Sequence, residues 1–425
     1  MILQLVIGTG CTSNNNKADA PEIVDSFAVN ASHLDHLYIP VTFEDSTHAG
    51  AISIYAEAPD YHLMDAVGEG IACVDDISRA ALFYGRSKNI LSDTISSQKL
   101  FKLIQFILSM QSANGYFYNF VLTGGRINKE GKTSANTANW WSWRALQTLS
   151  ELNPIIIKLD KVLSKKIDTS LALLLTKIKH DLLPLSMITK DVDGIKVPLW
   201  LPGGSASDQS AILILGLINY CTAHPDSDVK NYIRKLANGI AMLQSGNESN
   251  FPYFCFLSWE NVWHAYGSDQ AFAMLQAGEF LSDSTYIKKG IAEVEHFYPW
   301  LLRQNMLSSF NVHRERDSVV MSDQKQYPQI AYGIRPMIFA SVAAYKVTKN
   351  KKFAILAEEL AAWFTGRNVT KTIMYDMHTG RCFDGIQPAN KVNRNAGAES
   401  TIEALLAMQE IQKLRVLLSD SLHQE

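Results

Sequence analysis

The sequence predicts an all-α fold: an (α/α)6 toroid of helical hairpins, preceded by a small β-hairpin. From Asp75 onward, apolar residues recur at i, i+3, i+4 and i+7 in eleven successive segments. The segments alternate between amphipathic helices and helices that are apolar nearly all round. This alternation repeats roughly every 50 to 70 residues, which is typical of stacked helical hairpins.

The composition indicates one large globular domain. The chain has 425 residues, of which 47% are hydrophobic, so it can bury a sizeable core. Its formal net charge is -3 and it contains no long run of Lys or Arg, which argues against a nucleic acid partner. No apolar stretch reaches the roughly 18 to 20 residues needed to cross a bilayer.

The N-terminus resembles the end of a bacterial lipoprotein signal, because an apolar segment stops at Cys11 and the polar run TSNNNKAD follows. We therefore expect a signal remnant over 1–11, a tether over 12–35, the toroid over 36–412 and a C-terminal tail over 413–425. A lipidated Cys11 would anchor the chain in the bacterial cell envelope, in the periplasm or at the outer membrane. The alternative is a frayed apolar N-terminus.

The remaining cysteines show no spacing typical of a metal site or a redox pair, and we expect buried thiols. They are Cys73, Cys221, Cys255 and Cys382. Neither a metal nor a cofactor is expected.

The elements follow in order along the chain. Residues 36–55 alternate as a β-hairpin does, with a polar turn between the two halves. The eleven helical segments come next, at about 76–87, 97–111, 138–152, 159–181, 206–222, 227–245, 268–281, 284–304, 336–348, 351–366 and 398–412. Six of them are apolar inner helices, which implies a closed ring. A sixth outer helix is not evident, and the tail is long enough to supply only part of one.

The inner helices all run the same way in such a ring, so their N-termini meet at one end. The segments arriving there are rich in Trp, Tyr, Asn, Arg and carboxylates, whereas the outer helices begin with ordinary polar residues. A mouth of this kind fits a polar, ring-shaped ligand, for which a sugar is the natural class. The residues expected to bind it are Trp140, Trp141, Arg144, Asp208, Trp259, Tyr266, Tyr327, Tyr332, Arg335, Asp384 and Asn395.

Several acids at the mouth are candidates for proton transfer. Asp75 and Asp76 are adjacent and repel each other, so one of them needs a raised pKa or a partner such as Arg79. Glu399 opens the last inner helix, after the unusual polar run NRNAGAEST. Acids at helix N-termini also act as ordinary caps, a role that suits Asp208 and Asp269 equally well.

Three further residues are ambiguous on the sequence alone. Glu260 and His264 would share one face if their segment were helical, and either would then be a proton donor. The alternative is a buried histidine satisfied by a neighbouring carboxylate. Arg335 lies in an apolar run and needs a carboxylate partner, either Glu399 or an acidic sugar.

The helical-pair repeat, the Gly-rich aromatic loops and the final AGAEST helix resemble the six-hairpin glycosidases. The motifs VDDISRA, SWENVWHAYG and YPQIAYGIRP, together with the terminal run, also resemble a largely uncharacterised bacterial family from glycan-handling gene neighbourhoods. The resemblance extends over about residues 36 to 412, and it implies an (α/α)6 toroid whose relatives include hydrolases and polysaccharide lyases. It supplies no catalytic residue by position, because fold analogy is a weak guide to chemistry.

Three functional hypotheses follow for an oligosaccharide or polysaccharide partner. The first is a glycoside hydrolase, with Asp76 or Asp75 as the acid and Glu399 or Glu260 as the base. The second is a lyase acting on a uronic acid polymer, with Tyr327, Tyr332 or His264 as base and Arg335 neutralising the carboxylate. The third is a lipid-anchored glycan-binding protein without catalytic activity.

Overall fold

The structure, a computed structural model, describes residues 27–422. The predicted signal remnant, Cys11 with its predicted lipid anchor, and the predicted tether as far as residue 26 lie outside these residues. From Phe27 onward the chain packs on the domain: Phe27 is buried, and the Asn30 amide donates to the carbonyls of Met377 and His378 at 2.9 and 3.0 Å. Residues 27–35 therefore belong to the toroid and not to a tether.

Six inner helices form a closed ring, as predicted. Each contacts the next one around the ring, and the last contacts the first. Most of their side chains are buried, which explains why these helices lack a polar face. The inner helices are α2 (Val74–Gly85), α4 (Trp140–Leu159), α6 (Ser207–Ala223), α8 (Gln270–Leu281), α11 (Ala331–Thr348) and α13 (Ala398–Leu422).

The outer helices pack against the inner ones in hairpins. They are α3 (Thr94–Ser109), α5 (Lys161–Asp181), α7 (Ser227–Met242), α9 (Ser284–Ala292), α10 (Tyr298–Arg303) and α12 (Lys351–Ala361). The segment predicted as one helix over 284–304 contains a π-helical turn, Glu293–Phe297, between α9 and α10. The short helix α1 (Ser32–Leu37) contacts α13, and α13 continues through the boundary expected at residue 412.

The predicted β-hairpin is confirmed, with Tyr38 opposite Ile52 and Thr42 opposite His48. Further short antiparallel strands lie in the loops between helices. In order, the strands are β1 (Tyr38–Thr42), β2 (His48–Ile52), β3 (Tyr55–Glu57), β4 (His62–Met64), β5 (Ala72–Cys73), β6 (Phe120–Val121), β7 (Thr189–Val192), β8 (Ile195–Pro198), β9 (Gln244–Ser245), β10 (Cys255–Phe256), β11 (Val262–His264), β12 (Ser309–Glu315), β13 (Ser318–Lys325), β14 (Tyr375–Asp376), β15 (Arg381–Cys382), β16 (Gly385–Gln387) and β17 (Lys391–Asn393). All pair as two-stranded ribbons except β11, β12 and β13, which form one sheet.

No helix within residues 27–422 is both long enough and apolar enough to cross a membrane. The four cysteines of this part of the chain are buried free thiols, as predicted.

Candidate functional site

A cavity of about 470 Å³ opens at the N-terminal end of the inner ring. Four of the six inner helices contribute first-turn residues to its wall, and the loops before them supply the rest. The lining residues are Ile54, Tyr55, Glu69, Cys73, Asp75, Asp76, Arg79, Asn119, Phe120, Thr133, Trp140, Trp141, Ile330, Ala331, Asp384, Gly397, Glu399 and Ser400. Its volume falls within the range of about 300 to 1,000 Å³ that is usual for small-molecule sites.

Arg79 is the central cation of the cavity floor and is almost completely buried. Its Nη2 donates to Asp75 Oδ2 at 2.8 Å and to Asp76 Oδ1 at 2.6 Å. Its Nη1 donates to Glu403 Oε1 at 2.8 Å. A buried guanidinium needs such partners because losing water is costly for a charged group. The partner predicted for the Asp75 and Asp76 pair is therefore present.

Arg335 is also buried, but its partners differ from the predicted one. Its Nε donates to Glu403 Oε2 at 2.6 Å, and its Nη1 donates to Asp269 Oδ1 at 2.6 Å. Glu399, expected as its partner, contacts Arg79 instead. Burial raises the pKa of Glu403, but the charges of Arg335 and Arg79 outweigh this effect and lower it to about 2.

Tyr332 lies among three arginines, with its ring centroid 4.8 Å from the guanidinium carbon of Arg79 and 5.5 Å from that of Arg144. The Arg144 Nη2 donates to its hydroxyl. Burial raises the pKa of Tyr332 well above its ordinary value, against the opposing charge of Arg144. A phenol in this position is a structural cation–π partner and is unsuited to act as a base.

Glu399 lines the cavity, and its carboxyl group is more exposed than those of Asp75 and Asp76. Its Oε2 lies 3.5 Å from Arg79 Nη2, and 44% of its side chain is accessible. Its position in the cavity wall removes the group partly from water, and this desolvation raises its pKa to about 7. Arg79 opposes the rise, and Asp76 adds to it. No hydrogen bond to Glu399 is present within the described residues.

Asp75 and Asp76 differ in exposure. Asp76 is buried, and its Oδ2 accepts a weak bond from the Cys73 thiol at 3.2 Å. Burial raises the pKa of Asp76, with Arg79 opposing. The side chain of Asp75 is 22% exposed to the cavity, and its Oδ1 lies 3.4 Å from Arg144 Nε. Asp75 is therefore the member of the pair that a ligand can reach.

The capping hypothesis fails for Asp269, whose carboxylate binds Arg335 and caps no backbone N–H of α8. Asp208 has two roles. Its Oδ1 accepts from the backbone N–H of Gln209 at 2.6 Å, as a cap does, and its Oδ2 lies 3.1 Å from His264 Nε2. Ordinary Asp or Asn caps are found instead on the outer helices α3, α5, α7, α9 and α12.

The helical pairing of Glu260 with His264 is wrong. Glu260 occupies a turn with φ of +51°, His264 ends strand β11, and Glu260 forms an ion pair with Lys190. Glu260 is not among the cavity residues. His264 is buried against Asp208, and Tyr266 stacks on its ring at 3.8 Å, which matches the alternative of a satisfied buried histidine.

The aromatic residues divide between the cavity and the core. Trp140 and Trp141 line the cavity, and Trp141 Nε1 donates to the Phe117 carbonyl at 2.7 Å. Trp143, on the same turn of α4, is fully buried, as expected for adjacent aromatics on one helix. Trp259 and Tyr266 are half-exposed and lie outside the cavity lining.

The polar run before α13 forms a hydrogen-bonded loop beside the cavity. Asp384 Oδ1 accepts from the Gly397 N–H at 2.8 Å and from the Ser400 hydroxyl at 2.7 Å. The Asn395 side chain accepts from the Ala58 N–H at 3.1 Å, so it holds the loop and is not among the cavity residues. Tyr327, also outside the cavity lining, donates its hydroxyl to Asn390.

Several residues at the site are not among the candidates that the sequence indicated. Glu403 lies one helical turn beyond Glu399, and a lone carboxylate in the apolar run IEALLAM was a signal that it is paired inside the ring. Tyr55 begins strand β3 and Glu69 lies in a turn before β5, and no local pattern singles out either one as a cavity residue. Within residues 27–422, no group of three His, Cys, Asp or Glu side chains is arranged to hold a metal ion.

Comparison with known proteins identifies the fold. No protein-family model and no curated protein matches the chain. Among solved structures, a sugar epimerase from a ruminal bacterium superposes with a TM-score of 0.62 at 13% identity, covering 88% of this chain and 94% of that one. Cellobiose 2-epimerase from Bacillus thermoamylovorans gives 0.59 at 12% identity, with the same coverage of 88% and 94%. The cellulase Cel9M of C. cellulolyticum, in complex with cellobiose, gives 0.51 at 12%, covering 80% and 83%.

At these identities the likeness shows the fold alone. The fold and the site define the class: an (α/α)6 toroid with a cavity of carboxylates around Arg79 at the N-terminal end of its inner helices. The fold predicted from the sequence is thereby confirmed.

Proposed function

We propose that the protein is a carbohydrate-active enzyme, a glycoside hydrolase that acts on an oligosaccharide bound in this cavity. The observation that carries the proposal is Glu399, a cavity-facing carboxyl group with a pKa of about 7. Such a group is protonated over the lower part of the physiological pH range and has a proton to give. Asp75 accompanies it as the carboxylate, held by Arg79.

Glycoside hydrolysis needs this combination of one protonated and one ionised carboxyl group. The acid protonates the leaving oxygen, and the carboxylate either activates water or attacks the sugar carbon. Asp75 and Glu399 both contact Nη2 of Arg79, at 2.8 and 3.5 Å, so one sugar linkage can reach both. These roles are the reverse of those predicted from the sequence, which made Asp76 or Asp75 the acid and Glu399 or Glu260 the base.

The walls of the cavity support a sugar ligand. The rings of Tyr55 and Trp140 offer apolar faces, whereas Asp384 offers a carboxylate oxygen for hydroxyls. The similar structures named above as epimerases and a cellulase act on sugars, which supports the same ligand class for this chain. The lyase hypothesis loses support because Arg335 is consumed by Asp269 and Glu403.

Sugar epimerisation is the second candidate. The two epimerases superpose over 94% of their own length, with higher TM-scores than the cellulase. Epimerisation next to a carbonyl removes a proton from carbon and returns one to the opposite face, and a carboxyl group with a pKa near 7 suits that exchange as well.

The discriminating experiment is a screen of oligosaccharides with product analysis by mass spectrometry, run in heavy-oxygen water and in deuterium oxide. Hydrolysis shortens the glycan and places one heavy oxygen in the product. Epimerisation leaves the length unchanged and introduces carbon-bound deuterium. Binding without either change would identify a glycan-binding protein and overturn the proposal. The lipid anchor at Cys11 and the envelope location remain predictions that this screen does not address.

A further inference from the structure

The charges lining the cavity are unequal. Among the described residues of its wall, five are acids and Arg79 is the one cation. The acids are Glu69, Asp75, Asp76, Asp384 and Glu399. Arg144 lies behind this wall, with its Nε 3.4 Å from Asp75 Oδ1, so the five acids of the wall meet two guanidinium groups and are in excess over them.

Arg79 has little capacity left for a ligand. Its two terminal nitrogens donate to Asp75, Asp76 and Glu403, and it is almost completely buried. A ligand carboxylate entering the cavity would therefore meet carboxylates, and the described part of the wall offers it no free cation. An acidic sugar is disfavoured by like-charge repulsion in a partly desolvated site.

Two of the acids keep an oxygen for a ligand. Asp384 uses Oδ1 for both of its bonds, to Gly397 and Ser400, and Glu69 uses Oε1 for the Thr133 hydroxyl at 2.6 Å. Within the described residues, the second oxygen of each accepts no hydrogen bond. The negative charge of these acids also reaches Tyr55 at the cavity wall. Partial burial raises the pKa of Tyr55, and the charges of Glu69 and Asp384 raise it further.

We infer that the cavity selects a sugar bearing a protonated amine, and that Asp384 and Glu69 are the residues that select it. This inference depends on the proposed function only in taking the cavity as a sugar site. An ammonium group satisfies the free carboxylate oxygens and offsets the excess negative charge, which a neutral hydroxyl does only in part. The substrate class is then an amino-sugar oligosaccharide.

The test is binding of single sugars, which contain no linkage to cleave. Glucosamine, glucose, N-acetylglucosamine and glucuronate are compared by ligand-observed nuclear magnetic resonance at slightly acidic pH, where the amine is protonated. We expect glucosamine to bind at least about tenfold more tightly than glucose, with glucuronate weakest, and we expect added salt to shrink the difference. Equal binding of glucosamine and glucose, tighter binding of glucuronate, or no binding of any of the four overturns the inference.

Variants assign the preference to the two acids. Asp384→Asn retains an oxygen that can accept from Gly397 and Ser400, so the loop is preserved while the charge is lost. In the double variant with Glu69→Gln, the preference for glucosamine should fall below about twofold. Glu248→Gln, in an exposed loop, is the matched control and should leave the preference intact. An unchanged preference in the folded double variant contradicts the assignment. A protein that prefers glucosamine but cleaves no glycan refutes the hydrolase proposal and leaves this inference standing.

Discussion

Arg335 Nε lies 2.6 Å from Oε2 of Glu403, and both side chains are buried where the inner helices α11 and α13 meet. Glu403 also accepts from Arg79 on α2, and Arg335 also binds Asp269 at the start of α8. Four inner helices are thus joined by one charged cluster beneath the cavity. The cluster fixes the floor on which Glu399 and Asp75 are held.

Replacing Arg335 by Met should destabilise the fold strongly. The change leaves Asp269 and Glu403 buried with an arginine partner removed, and breaking a buried pair costs about 3 to 5 kcal/mol. The loss is measured as the difference in the free energy of unfolding between wild type and variant in urea titrations. Lys352→Met, which removes a partly exposed ion pair with Glu295, should cost at most about 1 kcal/mol. Equal losses in the two variants would show that the cluster is not a stabilising element.

The pH dependence of activity should have an alkaline limb set by Glu399. Its pKa is about 7, raised from the ordinary value, so the proton-donating form predominates below pH 7 and is lost above it. We expect kcat/KM to fall about tenfold per pH unit beyond that point. A rate profile in buffers of constant ionic strength tests this, and a flat profile between pH 6 and 9 contradicts it.

Gly267→Ala should disturb the site as well as the fold. Gly267 has φ of +62°, and an added Cβ would lie 2.7 Å from the Tyr332 hydroxyl oxygen and 3.3 Å from the Trp140 ring. Gly124→Ala is the matched control, because φ is +84° and nothing lies within 4 Å of the new Cβ. Gly124→Ala should lose about 1 to 2 kcal/mol of unfolding free energy in urea titration through backbone strain alone, and Gly267→Ala should lose more because its Cβ also overlaps Tyr332. Only Gly267→Ala should also reduce turnover, and equal turnover in the two variants would contradict the proposed place of Trp140 at the site.

Glu293 should make stability depend on pH. It lies buried in the π-helical turn, where it accepts from the Phe256 N–H at 2.7 Å, and burial raises its pKa to about 8. The pKa of Glu293 is higher in the folded state than in the unfolded state, so its protonated form favours folding. The full stabilisation is present below about pH 4.5, and it declines by roughly 1.4 kcal/mol per pH unit as the pH rises towards 8. Glu293→Gln should remove that decline from urea titrations, whereas Glu295→Gln in the same turn should retain it. Identical pH slopes in the two variants would refute the explanation.

The ring could be predicted from the sequence because the buried inner helices are apolar on nearly every side. That pattern is visible within each helix and does not depend on knowing which helix packs against it. The same reasoning placed Asp75, Asp76, Arg79, Glu399 and Asp384 at one end, and the cavity brings all five together. The pattern carries no information on the register between neighbouring helices. Glu399 and Glu403 lie one helical turn apart on α13. Which of them pairs with Arg335 depends on that register.

The segment around Glu260 shows a second limit. A spacing of four residues suggested a helix face, but Trp263 lies opposite Phe310 in the sheet formed with β12. That pairing joins residues far apart in sequence, so the local pattern could not reveal it. Asp269 was ambiguous for a related reason: its role depends on Arg335, which α11 brings to it from the neighbouring hairpin.

The central claim is that Glu399 donates the proton in cleavage of a bound sugar linkage, and Glu399→Gln tests it most directly. The variant keeps the size of the side chain but cannot donate as an acid. On the glycan that the wild-type protein cleaves, kcat should fall by about 10² to 10⁴ with little change in ligand affinity, since a general acid contributes in that range. Glu248→Gln should retain the wild-type rate. A Glu399→Gln protein that turns over at the wild-type rate would contradict the claim.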